Sequence, residues 1–226
     1  GKKLFPVVHV LDLEQANRNV DIAMNNGADG IFLINHDYGP THLIETYKEV
    51  RDSHPDIFIG LNLLGLGANY AFKLVSDLDA VSALWVDNPG ITDEGYTADA
   101  LRLESDMRHS DWPGAYFASV AFKHQAIVRN TATAANNASS MCHVIVTSGA
   151  STGSAPLARK LALMKRGVMP HTLFANASGT DLENVTDFAQ HADVFLVASG
   201  INMDNDFYNL DPLRVETMAH TLHTFK

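Results

Sequence analysis

The stretch HVIVTSGASTGSAP, residues 143–156, joins a β-branched apolar run to a loop of small and hydroxyl-bearing residues, after which a helical pattern begins. Two later stretches repeat the ending, LFANASG at residues 173–179 and FLVASG at residues 195–200. A strand that delivers Gly, Ser and Thr to the start of the next helix offers backbone N–H groups and hydroxyls to an anion. Three such endings in succession predict the phosphate-binding rim of a (β/α)8 barrel.

Short apolar runs alternate with helical patterns along the whole chain. Eight of these runs are almost continuously apolar, which is typical of strands buried on both faces of a parallel sheet. They are residues 5–11, 30–35, 57–63, 83–88, 116–122, 143–149, 172–178 and 193–199. We therefore predict an α/β fold, a (β/α)8 TIM barrel that residues 1–226 form as a single domain.

A doubly wound open sheet is the main alternative fold. Its dinucleotide-binding fingerprint, Gly-x-Gly-x-x-Gly, would follow the first strand, where this chain has Asp12-Leu13-Glu14. Helix start signals agree with the barrel. Thr41 is expected to cap the helix after the second strand, Asp181 the helix after the seventh, and Asp211 the last helix.

Composition limits the partners. The net charge of −10 argues against nucleic acid, and the lack of an apolar run of about 18 residues argues against membrane insertion. The single cysteine, Cys142, permits no disulfide within the chain, which favours a cytoplasmic location. We also expect a homo-oligomer, on the fold class alone.

The active site of such a barrel lies at the carboxyl ends of its strands. The candidate catalytic residues there are Lys123, His124, Asp87, His9 and Asn62, with Asn35, His36 and Asn176 as further polar residues of the rim. In an apolar mouth the pKa of Lys123 would be lowered, which suits an electrophile or a Schiff-base amine. Asp87 or His124 would then act as acid or base. The alternatives are a solvated loop lysine at Lys123 and a core histidine at His9.

The loops after the sixth, seventh and eighth strands are expected to hold the phosphate group. The candidate residues are Ser148, Gly149, Ser151, Thr152, Gly153, Ser178, Gly179, Ser199 and Gly200. Turn formation and helix capping alone would explain one such loop, but three in a row favour an anion site. No cofactor is predicted, because neither a His-x-x-x-His pair nor a cysteine cluster occurs. A divalent metal among the rim histidines and aspartates is the lesser alternative.

Several motifs follow one another along the chain. They are VVHVLDL (7–13), GADGIFLIN (27–35), GLNLLG (60–65), ITDEG (91–95), SVAFKH (119–124), VIVTSGASTGSAP (144–156), ASGTDLENV (177–185), and ADVFLVASGI with DFYNLDPLRV (192–215). In these motifs the chain resembles the BtpA/SgcQ family of (β/α)8 proteins, whose members are similar to ribulose-phosphate-binding barrels. Some members are linked to photosystem I assembly and others to sugar utilisation. The sequence departs from the family in a shorter first loop, in Asp87 where Asn is usual, and in Ala177 where Gly is usual.

The leading functional hypothesis is an enzyme of the isomerase, lyase or nucleosidase type. Its substrate would be a phosphorylated sugar or a nucleoside-like small molecule. The alternative is a non-catalytic barrel, acting as an assembly or stability factor or as a ligand-binding regulator. Such a protein would tolerate polar replacement of the rim residues, whereas an enzyme would not.

Overall fold

A computed structural model describes residues 1–149 and 157–226, and in it eight parallel strands close into a barrel. The barrel strands are β1 (Lys3–His9), β2 (Ile31–Ile34), β3 (Ile59–Asn62), β4 (Ala83–Val86), β7 (Ala115–Ser119), β8 (Val144–Thr147), β9 (Leu173–Asn176) and β10 (Val194–Val197), while β5 (Ile91–Thr92) and β6 (Gly95–Tyr96) form a small antiparallel pair. Each barrel strand pairs with the next barrel strand along the chain, so that β4 pairs with β7. The barrel closes where β10 pairs with β1. The (β/α)8 prediction is confirmed, and each barrel strand overlaps one of the predicted runs.

The helices lie between the strands in sequence. They are α1 (Leu13–Asn25), α2 (Pro40–Ser53), α3 (Ala68–Ser76), α4 (Ala98–Arg108), α5 (Thr131–Ser139), α6 (Leu157–Lys165), α7 (Val185–Ala189) and α8 (Pro212–Thr224), with a short 3-10 turn at Ser199–Ile201. No helix in the described ranges is long and apolar enough to cross a membrane.

One of the three predicted caps is confirmed. The carboxylate of Asp211 accepts the N–H groups of Leu213 and Arg214 at the start of α8. The prediction for Thr41 is wrong, since α2 begins one residue earlier at Pro40, whose fixed φ suits a first helical turn.

The prediction for Asp181 is wrong for a different reason. Its carboxylate accepts the N–H groups of Glu183 and Asn184, at 2.9 and 3.0 Å. These bonds cap a turn over residues 182–184 that precedes the helix, not the first turn of the helix itself. The helix α7 therefore begins only at Val185.

Two apolar layers hold the barrel together. Side chains that point outward from the strands pack beneath the helices, and those that point inward fill the barrel. The inward layer is aromatic: Phe32 lies 5.0 Å from Phe117 and 5.8 Å from Trp85, measured between ring centroids. Gly60 makes room for this packing, because a Cβ atom there would lie only 2.3 Å from the ring of Phe32. Because side chains fill the interior of the barrel, we look for a ligand site at the ends of the strands.

Candidate functional site at the carboxyl ends of the strands

Alternation along the strands decides which polar residues face the mouth, the opening of the barrel at the carboxyl ends of its strands. Phe5 and Val7 pack inside the barrel, so the side chain of His9 continues the inward row. The same alternation turns three further polar side chains inward, those of Asn62, Asp87 and Ser148.

Asn62 and Asp87 form a direct pair in the mouth. The side-chain amide of Asn62 donates to Oδ1 of Asp87 at 2.8 Å, and Asn62 is buried. Burial raises the pKa of Asp87 above its ordinary value, although the bond from Asn62 and the charge of Lys123 oppose the shift. A carboxyl group with a raised pKa and a fixed orientation is suited to accept or donate a proton.

Lys123 and His124 lie in the loop beyond β7, and both side chains are exposed. The predicted strand ran to residue 122, but β7 ends at Ser119. The backbone turns at Ala121, whose φ of 50° is a left-handed conformation that no strand continues. The Lys123 ammonium lies 5.7 Å from the ring centroid of Phe122. Its charge nevertheless acts on the side chains of Asp87 and His9, which locates it at the mouth.

The loop that carries Lys123 is tied down at several points. Gln125 donates to the backbone oxygens of Asp87 and Ser119, at 2.6 and 2.9 Å. The backbone N–H of Lys123 donates to Oγ of Ser148 at 2.8 Å. These bonds connect the ends of β4, β7 and β8, so the lysine projects from a braced loop.

His9 belongs to an aromatic cluster. Its ring stacks on Phe207 with a centroid separation of 3.9 Å, and His36 lies edge-on to it at 5.6 Å. Burial lowers the pKa of His9 to about 4, and the nearby His36 contributes in the same direction. His9 is therefore neutral at physiological pH, and its Nδ1 atom bonds to no other described residue.

Asn35 and Asn176 point to the opposite side of their strands and support loops instead of lining the mouth. The amide of Asn35 donates to the backbone oxygens of Tyr38 and Leu64, each at 3.1 Å. The amide of Asn176 donates to the backbone oxygen of Ser178, also a predicted phosphate ligand, at 2.9 Å. Both asparagines therefore stabilise the shape of these loops from the outer side of the barrel wall.

The loops after β9 and β10 lie against each other. A Cβ atom on Gly200 would be 1.9 Å from the backbone oxygen of Thr180, so only glycine permits this approach. Gly179, Ser199 and Gly200 line one surface cavity of about 490 Å³. Within the part of the chain that the structure describes, the backbone N–H groups of these three residues donate to no hydrogen bond.

Arg214 lines the same cavity, but acidic and backbone partners occupy much of its guanidinium group. It donates to Asp204 at 2.6 Å and to the backbone oxygen of Asn202 at 2.5 Å. Of the other predicted phosphate ligands, Ser148 is buried and Gly149 lies beside Ser178. The predicted ligands Ser151, Thr152 and Gly153 fall outside the described residues.

Sequence reasoning missed two elements of the site. Tyr208 donates its hydroxyl to Oδ2 of Asp37 at 2.5 Å, and Phe207 covers His9. The sequence signal for both residues is the DFYNLDP motif at residues 206–212. Lys160 is the second, because its ammonium donates to the backbone oxygens of Ala121 and Ser148. Burial lowers the pKa of Lys160 to about 8.

Metal ligands do not gather in the described residues. Residues 1–149 and 157–226 contain no group of three or more His, Cys, Asp or Glu side chains placed to hold a metal ion. His36 and Asp37 come within 3.2 Å of each other, and His36 packs edge-on to His9. The other predicted rim histidine, His124, lies on the exposed loop.

Solved structures with the same fold come from several enzymes. They include 3-hexulose-6-phosphate synthase from Salmonella typhimurium, with 14% identity, a TM-score of 0.69 and coverage of 99% of this chain and 100% of that one. A second is (S)-3-O-geranylgeranylglyceryl phosphate synthase from Thermoplasma acidophilum in complex with sn-glycerol-1-phosphate, with 12% identity, a TM-score of 0.66 and coverage of 98% and 93%.

A third is N-(5'-phosphoribosyl)anthranilate isomerase from Pyrococcus furiosus, with 14% identity, a TM-score of 0.64 and coverage of 99% of each chain. At these identities the likeness establishes the fold alone. No curated protein matches the sequence. A family model, described as the BtpA family, matches residues 10–224.

Proposed function

The chain belongs to the BtpA family, and we propose that it is an enzyme acting on a phosphorylated sugar or nucleoside-like small molecule. The phosphate group binds where the loops after β9 and β10 meet, and the reacting carbons lie over the mouth. The observation that carries this proposal is the set of unpaired backbone N–H groups of Gly179, Ser199 and Gly200 at one cavity of about 490 Å³, counted among the described residues. Such groups bind an anion without any lysine or arginine.

The names of the solved relatives support a phosphorylated substrate. All three are named for phosphate-bearing compounds, and one of them was solved with sn-glycerol-1-phosphate. Ser151, Thr152 and Gly153 remain proposed phosphate ligands on the evidence of the sequence motif alone.

The side chains of the mouth provide the chemistry. The Asn62–Asp87 pair holds a carboxyl group whose pKa is raised, and it acts as the acid or base. Lys123, whose charge acts on Asp87 and His9, is the electrophile or the Schiff-base amine of this proposal. Isomerase, lyase and nucleosidase reactions commonly use a proton donor or acceptor, and a positive charge nearby stabilises negative charge that develops in the transition state.

A non-catalytic regulator is the second candidate, and the packing of Phe122 favours it. The ring of Phe122 is buried with the inward layer, 6.2 Å from the ring of Trp85 between centroids. A bulky ring packed at this end of the inward layer leaves less room in the mouth for the carbons of a substrate. A regulator needs only the phosphate site, so it would bind phosphorylated ligands without turning them over.

Thermal unfolding with a panel of sugar phosphates and nucleotides tests both candidates. A ligand at a hundredfold its dissociation constant adds about 2.7 kcal/mol to the free energy of unfolding, which is a measurable shift in Tm. Ser199→Asp should abolish the shift because it places a negative charge among the N–H groups, whereas Ser199→Ala should retain most of it. Equal shifts in the two variants would contradict the phosphate site, and binding without turnover would favour the regulator.

A further inference from the structure

The exposed ring of Phe207 stands out at the rim. One face of Phe207 stacks on His9 at 3.9 Å, and His36 packs edge-on at 5.1 Å. The residue is nevertheless 40% exposed, and because His9 covers one face, we assign the exposed area to the other face. An aromatic ring that is backed on one face and open on the other is a stacking surface.

The segment that carries this ring, residues 203–209, is fixed in place. The backbone N–H of Met203 donates to the backbone oxygen of Asn209 at 2.9 Å, which closes the segment into a loop. The side chains of Gln15 and Asn19 both donate to the backbone oxygen of Tyr208, each at 2.8 Å. The ring is therefore oriented before any ligand arrives, which reduces the entropy cost of binding.

The surroundings of the ring add two features. His9 beneath it is uncharged at physiological pH, so the stack presents no positive charge of its own. Asp37 stands beside it, and hydrogen bonds from Tyr208 and His36 hold the pKa of this carboxyl below its ordinary value. A carboxylate at the edge of a stacking surface accepts hydrogen bonds from ring amino groups.

We propose that the open face of Phe207 stacks the amino-bearing heteroaromatic ring of a nucleotide whose phosphate occupies the cavity at Gly179 and Gly200. This inference rests on the proposed function and selects the nucleoside-like class of substrate. The two subsites belong to one connection, since a bridge between Asn202 and Leu210 returns residues 203–209 to the residues next to Gly200. A sugar phosphate would occupy only the phosphate end.

Calorimetric titration with AMP, ribose 5-phosphate and adenosine tests the proposal on the intact chain. AMP should bind roughly tenfold or more tightly than ribose 5-phosphate, because stacking of one base has about that effect on affinity. Phe207→Ala should remove this preference and leave the affinity for ribose 5-phosphate unchanged. Phe207→Trp should retain the preference, and so should Met203→Ala, the matched control on the same segment, which removes an exposed side chain without a ring.

The outcomes separate this inference from the proposed function. Equal affinity for AMP and ribose 5-phosphate overturns the stacking subsite and leaves the phosphate site intact. Binding of adenosine that depends on Phe207, without binding of ribose 5-phosphate, supports the stacking subsite and overturns the phosphate site. Binding of none of the three overturns both. A Phe207→Ala variant that changes its oligomeric state and not its preference for AMP identifies the ring as a protein interface and overturns the proposal.

Discussion

The two halves of the mouth offer different kinds of groups to the proposed ligand, side chains in one half and backbone N–H groups in the other. On the side of β1 to β4, the proposed chemistry belongs to side chains, and burial raises the pKa of Asp87 and lowers that of His9. On the side of β9 and β10, the proposed anion site belongs to the backbone N–H groups of Gly179, Ser199 and Gly200. Side-chain protonation responds to pH and to neighbouring charges, whereas backbone N–H groups keep their polarity. In the proposed function, proton transfer and anion binding would therefore take place on opposite sides of the mouth.

Asp87→Asn should have the largest effect of these substitutions. It should lower turnover and leave the half of the mouth at β9 and β10 unchanged. The amide retains the shape and the contact with Asn62 but cannot exchange a proton as a carboxyl group does. We expect turnover of the selected substrate to fall by roughly 100-fold or more, the usual contribution of a general acid or base. The dissociation constant for inorganic phosphate should stay the same. Steady-state kinetics and calorimetry check the two expectations, and unchanged turnover would remove Asp87 from the proposed chemistry.

Gly200→Ala should disturb the other half. Its Cβ atom would lie 1.9 Å from the backbone oxygen of Thr180, so the loops after β9 and β10 must separate. We expect a loss of about 2 kcal/mol in the free energy of unfolding, in the range of overpacked sites, together with weaker phosphate binding. Gly39→Ala is the matched control, because no atom lies within 4 Å of its added Cβ. Urea unfolding compares the two variants, and equal stability would mean that the loops are not in close contact.

His9 should make the first half sensitive to acid. Its folded pKa of about 4 lies below the ordinary 6.5, so between these values the unfolded chain binds the proton and the folded chain does not. The free energy of unfolding therefore falls as the pH decreases from 6.5 to 4, and this single group contributes about 2 kcal/mol after allowance for its partial exposure.

His9→Phe is the variant that isolates this effect, because it retains a ring against Phe207 and does not titrate. The difference in unfolding free energy between wild type and variant should change over this pH window and be constant above it. A difference that is the same at every pH would contradict the buried, neutral state of His9.

The fold was predictable because apolar runs mark buried strands directly. Strand alternation also indicates that His9 faces inward, once Phe5 and Val7 are assigned to the core. The end of β7 was not predictable, since nothing about Ala121 signals its left-handed φ of 50°. The bond between Tyr208 and Asp37 joins residues 171 positions apart, and only the closed barrel brings them together. Lys160 was missed for the same reason, because its acceptors lie on two other connections.

A crystal structure with the tightest ligand of the panel tests the central claim most directly. We predict that its phosphate oxygens lie within hydrogen-bonding distance, about 3 Å, of the N–H groups of Gly179, Ser199 and Gly200. The remainder of the ligand should extend over the mouth toward Asp87. A phosphate group bound elsewhere on the barrel, with these three N–H groups still unpaired, would contradict the account.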